Sequence, residues 1–240
     1  MKDVYLNIKL NLISKQYPVM PIIQYPCYKS MDEFIDTKQL KAIDQEVTQF
    51  IESYLMTEQA NTRHFETGEI TQFPWQSKVT KSYVVQLTRH ATEYDYLDIN
   101  KPELWNLTKY AKQVPLLMAF IRTLPFEKTA RIMIIFDKGG HGVTAHRDHS
   151  FQDLCHEFIW FRTNFNKRFY VYHNKQKQYI ESYSAWFDTV NQLHGSDPAQ
   201  TLNFSIRVDG IFNAEMQKKI PFPAINPASR SAYWACRNTP

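Results

Sequence analysis

The stretch Leu202-Asn-Phe-Ser-Ile-Arg-Val-Asp-Gly-Ile-Phe212 alternates with a period of two. Successive side chains of a strand point to opposite faces. Leu202, Phe204, Ile206 and Val208 therefore form one apolar face, and Asn203, Ser205, Arg207 and Asp209 the other. An arginine in the middle of so apolar a strand needs a partner. Its planar fork suits bidentate binding of a carboxylate, and Ser205 on the same face can add a hydrogen bond. Upstream, from Ala130, the chain reads as a series of short strands over residues 130–136, 143–148, 156–163, 168–173, 177–183 and 184–189. The connections hold Asp-Lys-Gly-Gly, His-Asn-Lys-Gln-Lys and Gly-Ser-Asp-Pro. Regular short strands joined by such turns predict a β-sandwich or barrel.

The second of these strands carries His146-Arg147-Asp148, just after a glycine-rich turn. One reading is a polar strand end with solvated charges, the other a partial metal site. Composition alone predicts roughly 0.4 such triplets by chance, and His64-Phe65-Glu66 is a decoy of the same kind, so the triplet needs company. On a strand, residues i and i+2 face the same way, so His146 and Asp148 can offer a nitrogen and an oxygen to one point. His194, directly before Gly195, is the best third ligand. Two histidines and a carboxylate on one face of an ion leave open positions, as in non-haem Fe(II) sites.

With Arg207 thirteen residues after His194, the pattern resembles the Fe(II)/2-oxoglutarate-dependent oxygenase superfamily. Residues 124–136, the His-x-Asp after a glycine-rich turn, and Trp186-Phe-Asp-Thr-Val-Asn-Gln-Leu-His-Gly195 are most similar to its aspartyl/asparaginyl β-hydroxylase-like branch. The resemblance spans about residues 124–212 and implies a double-stranded β-helix (jelly-roll, cupin-like) core flanked by N-terminal helices. It implies that His146, Asp148 and His194 bind Fe(II) and that Arg207, helped by Ser205, holds the distal carboxylate of 2-oxoglutarate. With O2, the cosubstrate would be converted to succinate and CO2 while an unactivated C–H bond is hydroxylated. The substrate expected is an amino acid, a peptidyl side chain or another small molecule. Asp148 argues for hydroxylation, or another oxidation, over halogenation, because halogenating members replace that carboxylate. The chain departs from the pattern at Asp209, where many members place Ser or Thr. An anion there is unfavourable beside a cosubstrate carboxylate unless it faces Arg207 or solvent.

In residues 155–163, His156, Phe158, Trp160 and Arg162 share one face. If that face lines the barrel, His156 contacts 2-oxoglutarate and Arg162 contacts cosubstrate or substrate. Otherwise His156 is a satisfied core histidine and Arg162 a surface charge. Arg131 reads as structural. Two further readings stay open: a cupin-like metal enzyme that does not use 2-oxoglutarate, and a non-catalytic jelly-roll binding module. Both leave the position of Arg207 unexplained.

The rest of the chain adds context. Residues 38–56 predict a helix with Leu40, Ile43, Val47, Phe50, Ile51 and Tyr54 on one apolar face. Residues 77–89 predict a strand, and 102–124 a helical region in which Pro115 is either a kink or a first helical residue. The 240 residues are expected to form one domain: a helical and extended part over 1–125, the catalytic core over 126–212, and an extended tail over 213–240. A net charge of +4 gives no clear nucleic-acid signal. No apolar run approaches the length of a membrane span. Three scattered cysteines read as reduced thiols of a cytoplasmic protein. Substrate choice is expected in the 57–76 loop, the 137–142 turn and the tail with Trp234.

Overall fold

The computed structural model describes residues 28–55, 61–62, 75–76, 80, 82–91, 102–148, 157–189 and 192–219. The elements in chain order are β1 (Lys29–Ser30), α1 (Leu40–Phe50), β2 (Asn61–Thr62), β3 (Trp75–Gln76), β4 (Tyr83–Gln86), β5 (Thr88–His90), β6 (Trp105–Leu107) and α2 (Pro115–Ile121). They continue with β7 (Phe126–Asp137), β8 (Phe158–Phe161), β9 (Phe169–His173), β10 (Gln176–Tyr179), β11 (Ser184–Trp186), β12 (His194–Ser196), β13 (Asn203–Phe212) and α3 (Ala214–Lys219).

An eight-stranded sheet has the order β1-β11-β8-β13-β7-β4-β3-β2, and a second sheet the order β10-β9-β12. His146 bridges to His194 of β12, which adds residues 143–148 to the small sheet's edge. Followed along the chain, β7 lies in the large sheet, residues 143–148 in the small, β8 in the large, β9 and β10 in the small, β11 in the large, β12 in the small and β13 in the large. Antiparallel strands crossing between two sheets in this order form a double-stranded β-helix, the jelly roll. First and last core strands, β7 and β13, are neighbours.

The period-two pattern decides which layer each strand face meets. Ile206 is paired with Ile134 and Phe161, and Val208 with Ile132 and Ile159, so these residues share the outer face of the large sheet. The helical layer covers that face: Phe120 of α2 packs on Phe161 at 5.3 Å between ring centroids. From α1, Leu40, Ile43, Val47 and Phe50 join the same hydrophobic cluster. Helix α2 begins at Pro115 in its first position, where a missing N–H is tolerated. The next two amides, of Leu116 and Leu117, donate to the two carboxylate oxygens of Glu46 at 2.8 and 2.9 Å. Glu46 of α1 therefore caps α2 and ties the two helices together. The opposite face of β13, with Arg207 opposite Met133 and Trp160, looks toward the small sheet, where Trp160 meets Phe169 of β9 edge-on at 4.7 Å.

Several expectations need correction. The strand expected over 77–89 is described as two, β4 in the large sheet and β5 paired with β6 elsewhere. The chain leaves the ladder where β7 bulges. There the Thr88 hydroxyl accepts from the Ile132 amide and donates to the Ala130 carbonyl, both at 2.8 Å, replacing backbone partners. The helical region 102–124 is two 3-10 turns and a short strand before α2. Residues 143–148 do not form a strand of their own. Their partner β12 is three residues long, so one bridge forms at His146 and the Asp148 amide turns to the Thr189 carbonyl at 2.8 Å. The tail expected to be extended from residue 213 opens with α3, capped by the Asn213 carboxamide oxygen accepting from the Met216 amide. The 57–76 loop lies largely outside the described residues, and Trp234, His156 and the three cysteines lie wholly outside them.

Candidate metal centre

His146 and His194 face each other across an antiparallel bridge. The His146 amide donates to the His194 carbonyl at 3.0 Å, and the reverse bond is 2.9 Å. Their ring centroids are 4.4 Å apart. Close approach depends on Gly195: a Cβ there would sit 2.5 Å from the Val143 carbonyl oxygen and 2.8 Å from the Tyr170 hydroxyl. Gly142 plays the same part on the facing segment, where a Cβ would collide with the Ser196 carbonyl. These two glycines let the segment bearing His146 and Asp148 lie against β12.

Both imidazoles have a defined tautomer. His146 Nδ1 lies 2.8 Å from the Thr144 carbonyl and His194 Nδ1 lies 3.2 Å from the Gln192 carbonyl. A carbonyl can only accept, so each Nδ1 carries the proton and each Nε2 keeps its lone pair. These Nε2 atoms point at one oxygen. Asp148 Oδ1 is 3.7 Å from His146 Nε2 and 3.5 Å from His194 Nε2.

The electrostatics suit a cation. Burial pushes the His146 imidazole below its ordinary pKa, and the neighbouring His194 adds to this, so the ring is neutral at neutral pH. Burial alone would raise the Asp148 carboxyl. The neighbouring His194 and the charge and hydrogen bond of Arg207 outweigh it and hold the group well below the usual carboxylate range. Among the described residues, His146, Asp148 and His194 are the group of three whose ligand atoms all lie within 4.8 Å of one another. Ligands at right angles, about 2.1 Å from an ion, lie roughly 3 Å apart. Contraction by about 0.5–0.7 Å between Asp148 Oδ1 and each Nε2 would bring them to that separation. Two imidazoles and one carboxylate are the donor set that suits non-haem Fe(II).

Arg207 reaches the same place from β13. Its Nη1 donates to Asp148 Oδ2 at 2.7 Å and its Nε to Asp209 Oδ1 at 3.0 Å. Burial would lower the guanidinium pKa, but Asp209 and Asp148 together raise it. Asp209 is fully buried and faces Arg207, the arrangement in which an acid at this position is tolerated. Ser205 is buried on the same face, two residues away. Phe158, Trp160 and Phe187 form an apolar wall around the site, with Phe187 5.3 Å from the His194 ring.

Arg162 takes neither of its two expected places. It is 2% exposed, so it is not a surface charge. Its Nε donates to the Ser182 carbonyl at 3.1 Å and Nη1 to the Lys167 carbonyl at 3.2 Å, while Nη2 donates to the Ile180 carbonyl. With its three nitrogens on backbone, it ties the β8–β9 connection to the chain after β10, and it is a structural residue. Arg131, read as structural, donates from Nε to Asp209 Oδ2 at 2.9 Å, behind Arg207. The residues not foreseen are Thr144 and Gln192, whose carbonyls accept from the two histidine Nδ1 atoms, and the aromatic wall residue Phe187. Thr144 and Gln192 each precede their histidine by two, but nothing in residue type marks that role.

Comparison with solved structures finds a prolyl hydroxylase in complex with a hypoxia inducible factor oxygen degradation domain peptide fragment from Trichoplax adhaerens. It is 12% identical with a TM-score of 0.47, over 81% of this chain and 87% of that one. A Pseudomonas putida prolyl-4-hydroxylase is 11% identical with a TM-score of 0.44, over 77% and 92% of the two chains. An oxidoreductase of the 2OG-Fe(II) oxygenase family from Burkholderia pseudomallei is 12% identical with a TM-score of 0.36, over 70% and 88%. No protein-family model matches the sequence, and no curated protein does. The chemistry of the site follows from its own geometry.

Proposed function

We propose that the protein is an Fe(II)- and 2-oxoglutarate-dependent oxygenase that hydroxylates an unactivated C–H bond. The observation that carries this reading is the convergence of His146 Nε2, His194 Nε2 and Asp148 Oδ1 inside a jelly roll, with both Nδ1 protons already committed to backbone. When bound, the metal and cosubstrate would supply the oxidising chemistry, with succinate and CO2 as co-products. The chain supplies the rest. His146, His194 and Asp148 would hold the ion and leave its remaining positions to exogenous ligands. Arg207 lies beside them, its Nη1 donating to Asp148 Oδ2 at 2.7 Å. Phe158, Trp160 and Phe187 wall the site with apolar surface, which lowers the local polarity and strengthens polar contacts beside it.

The sequence resemblance supports placement in the aspartyl/asparaginyl β-hydroxylase-like branch, with an amino acid or a peptidyl side chain as substrate. The sparse cysteines support a reducing, cytoplasmic setting. No described helix is long and apolar enough to cross a membrane.

The test is an anaerobic titration of the purified protein with Fe(II) and then 2-oxoglutarate, following the visible charge-transfer band of the chelate, with succinate assayed after oxygen is admitted. The expected result is a band that disappears in His194→Ala, and succinate formation that depends on iron. Iron binding with neither band nor succinate would move the protein to metal enzymes that do not use 2-oxoglutarate. No iron binding would remove the metal centre altogether.

A further inference from the structure

The resemblance gives Arg207 to the cosubstrate, yet two of its nitrogens are already on protein carboxylates. Nη1 is 2.7 Å from Asp148 Oδ2, and Nε is 3.0 Å from Asp209 Oδ1. Asp209 divides its oxygens in the same way, Oδ1 to Arg207 and Oδ2 to Arg131 Nε at 2.9 Å. So does Asp148, with Oδ1 toward the two histidines and Oδ2 toward Arg207. Charges therefore alternate from the site to β7: Asp148, Arg207, Asp209, Arg131.

The backbone is shaped for this chain of contacts. A register shift between Val208 and Gly210 sets Ala130 and Arg131 of β7 against Asp209 alone. Such a bulge re-aims side chains locally. The guanidinium is also fixed from the side, with its central carbon 4.2 Å from the Phe158 ring centroid. Asp209 is 0% exposed and the Arg207 side chain 8%. A buried charge is costly unless fully paired, and here each charge has its partner at hydrogen-bond distance.

We propose that Arg207 is a positioning residue for the metal ligand Asp148, braced from behind by Asp209 and Arg131. This rests on the reading of His146, Asp148 and His194 as a metal centre. The guanidinium occupies Oδ2, so Asp148 presents only Oδ1 to the metal. A carboxylate free to bind through both oxygens would take one more coordination position, at the expense of the exogenous ligands. The distal carboxylate of the cosubstrate is then held by groups other than the Nε and Nη1 of Arg207.

The experiment uses Co(II) alone, without cosubstrate, on the full chain and on Arg207→Gln, Asp209→Asn and Arg131→Met. Affinity is read from the visible Co(II) bands and by calorimetry. Losses of about 10–100-fold are expected for Arg207→Gln and Asp209→Asn, as for other groups that orient a ligand. A smaller loss in the same direction is expected for Arg131→Met. 2-Oxoglutarate affinity is then measured on metal-saturated protein and should change little. Unchanged Co(II) affinity in both Arg207→Gln and Asp209→Asn would overturn the proposal. So would a loss of 2-oxoglutarate affinity with metal binding intact, because Arg207 would then be a cosubstrate contact. If Asp209→Asn does not fold, Arg207→Lys carries the test. An ammonium keeps the charge but cannot span two carboxylates with a rigid fork, so retained Co(II) affinity refutes the brace. Wild-type protein that fails to bind Co(II) overturns both this proposal and the metal centre. Wild-type protein that binds Co(II), with the expected losses in the variants, but ignores 2-oxoglutarate upholds the brace and removes the proposed cosubstrate.

Discussion

Replacing Gly195 by alanine tests whether the fold itself sets the metal geometry. The added Cβ would lie 2.5 Å from the Val143 carbonyl oxygen, whereas ordinary contact begins near 3.4 Å, so backbone must part by about 0.9 Å. The Tyr170 hydroxyl, at the end of a buried side chain, is 2.8 Å from the same Cβ and would have to shift as well. The bond from the Ser196 amide to that same Val143 carbonyl and the paired bonds between His146 and His194 lie alongside. A separation of that size exceeds the roughly 0.5 Å within which a working site must be held. Overpacking of this kind destabilises by about 1–3 kcal/mol. The expected outcome is a folded protein with a lowered urea midpoint and Co(II) affinity reduced at least tenfold. Urea melts followed by circular dichroism and a Co(II) titration on the same preparation provide the check. A variant with wild-type melting and wild-type Co(II) affinity would refute the argument that close approach at Gly195 builds the site.

Three other outcomes follow from the geometry. Arg162→Met should destabilise the protein by about 3–5 kcal/mol, because three backbone carbonyls lose a buried cationic donor. Its Co(II) and 2-oxoglutarate affinities should stay near wild type, and a raised cosubstrate KM with normal melting would count against the structural role. Glu46→Ala should lower stability by about 1–2 kcal/mol by uncapping α2, read from urea melts, with metal affinity unchanged. Acid should weaken the metal-free fold through His146 and Asp148. Their folded pKa values are both depressed, so each contributes stability above its unfolded pKa, about 6.5 for His and 3.9 for Asp. The His146 contribution is lost first, as pH falls below about 6.5 and through its folded value. The Asp148 contribution persists to more acidic pH. Urea midpoints at pH 5 and 7.5 should differ less in His146→Gln than in wild type.

Much of the large sheet was legible because its strands alternate cleanly. Ala130, Ile132, Ile134 and Phe136, and Leu202, Phe204, Ile206 and Val208, recur at every second position, the period of a strand face. The convergence of His146, Asp148 and His194 was also legible, through strand parity for the first two and the site's need for a third donor. What stayed hidden depended on register and distance. Strand β12 is His-Gly-Ser, with no residue of strand preference to announce it. Arg162 shares a face with Trp160, and parity shows which face but not which backbone carbonyls will meet the guanidinium. The contact from Asp209 to Arg131 joins residues 78 apart in sequence through a bulge. No local pattern reports where a ladder slips by one residue.

The adjacency of β7 and β13 has a kinetic side. The two strands are consecutive in space, yet every other core strand lies between them in the chain. Their pairing closes a loop spanning residues 138–202 before any ladder bond repays the lost chain entropy. The proposed metal ligands straddle that closure: His146 and Asp148 enter soon after β7, and His194 shortly before β13. A refolding chain should therefore acquire its metal affinity in its slowest phase, together with the last native pairing. A chelatable ion present during refolding would report when the barrel shuts.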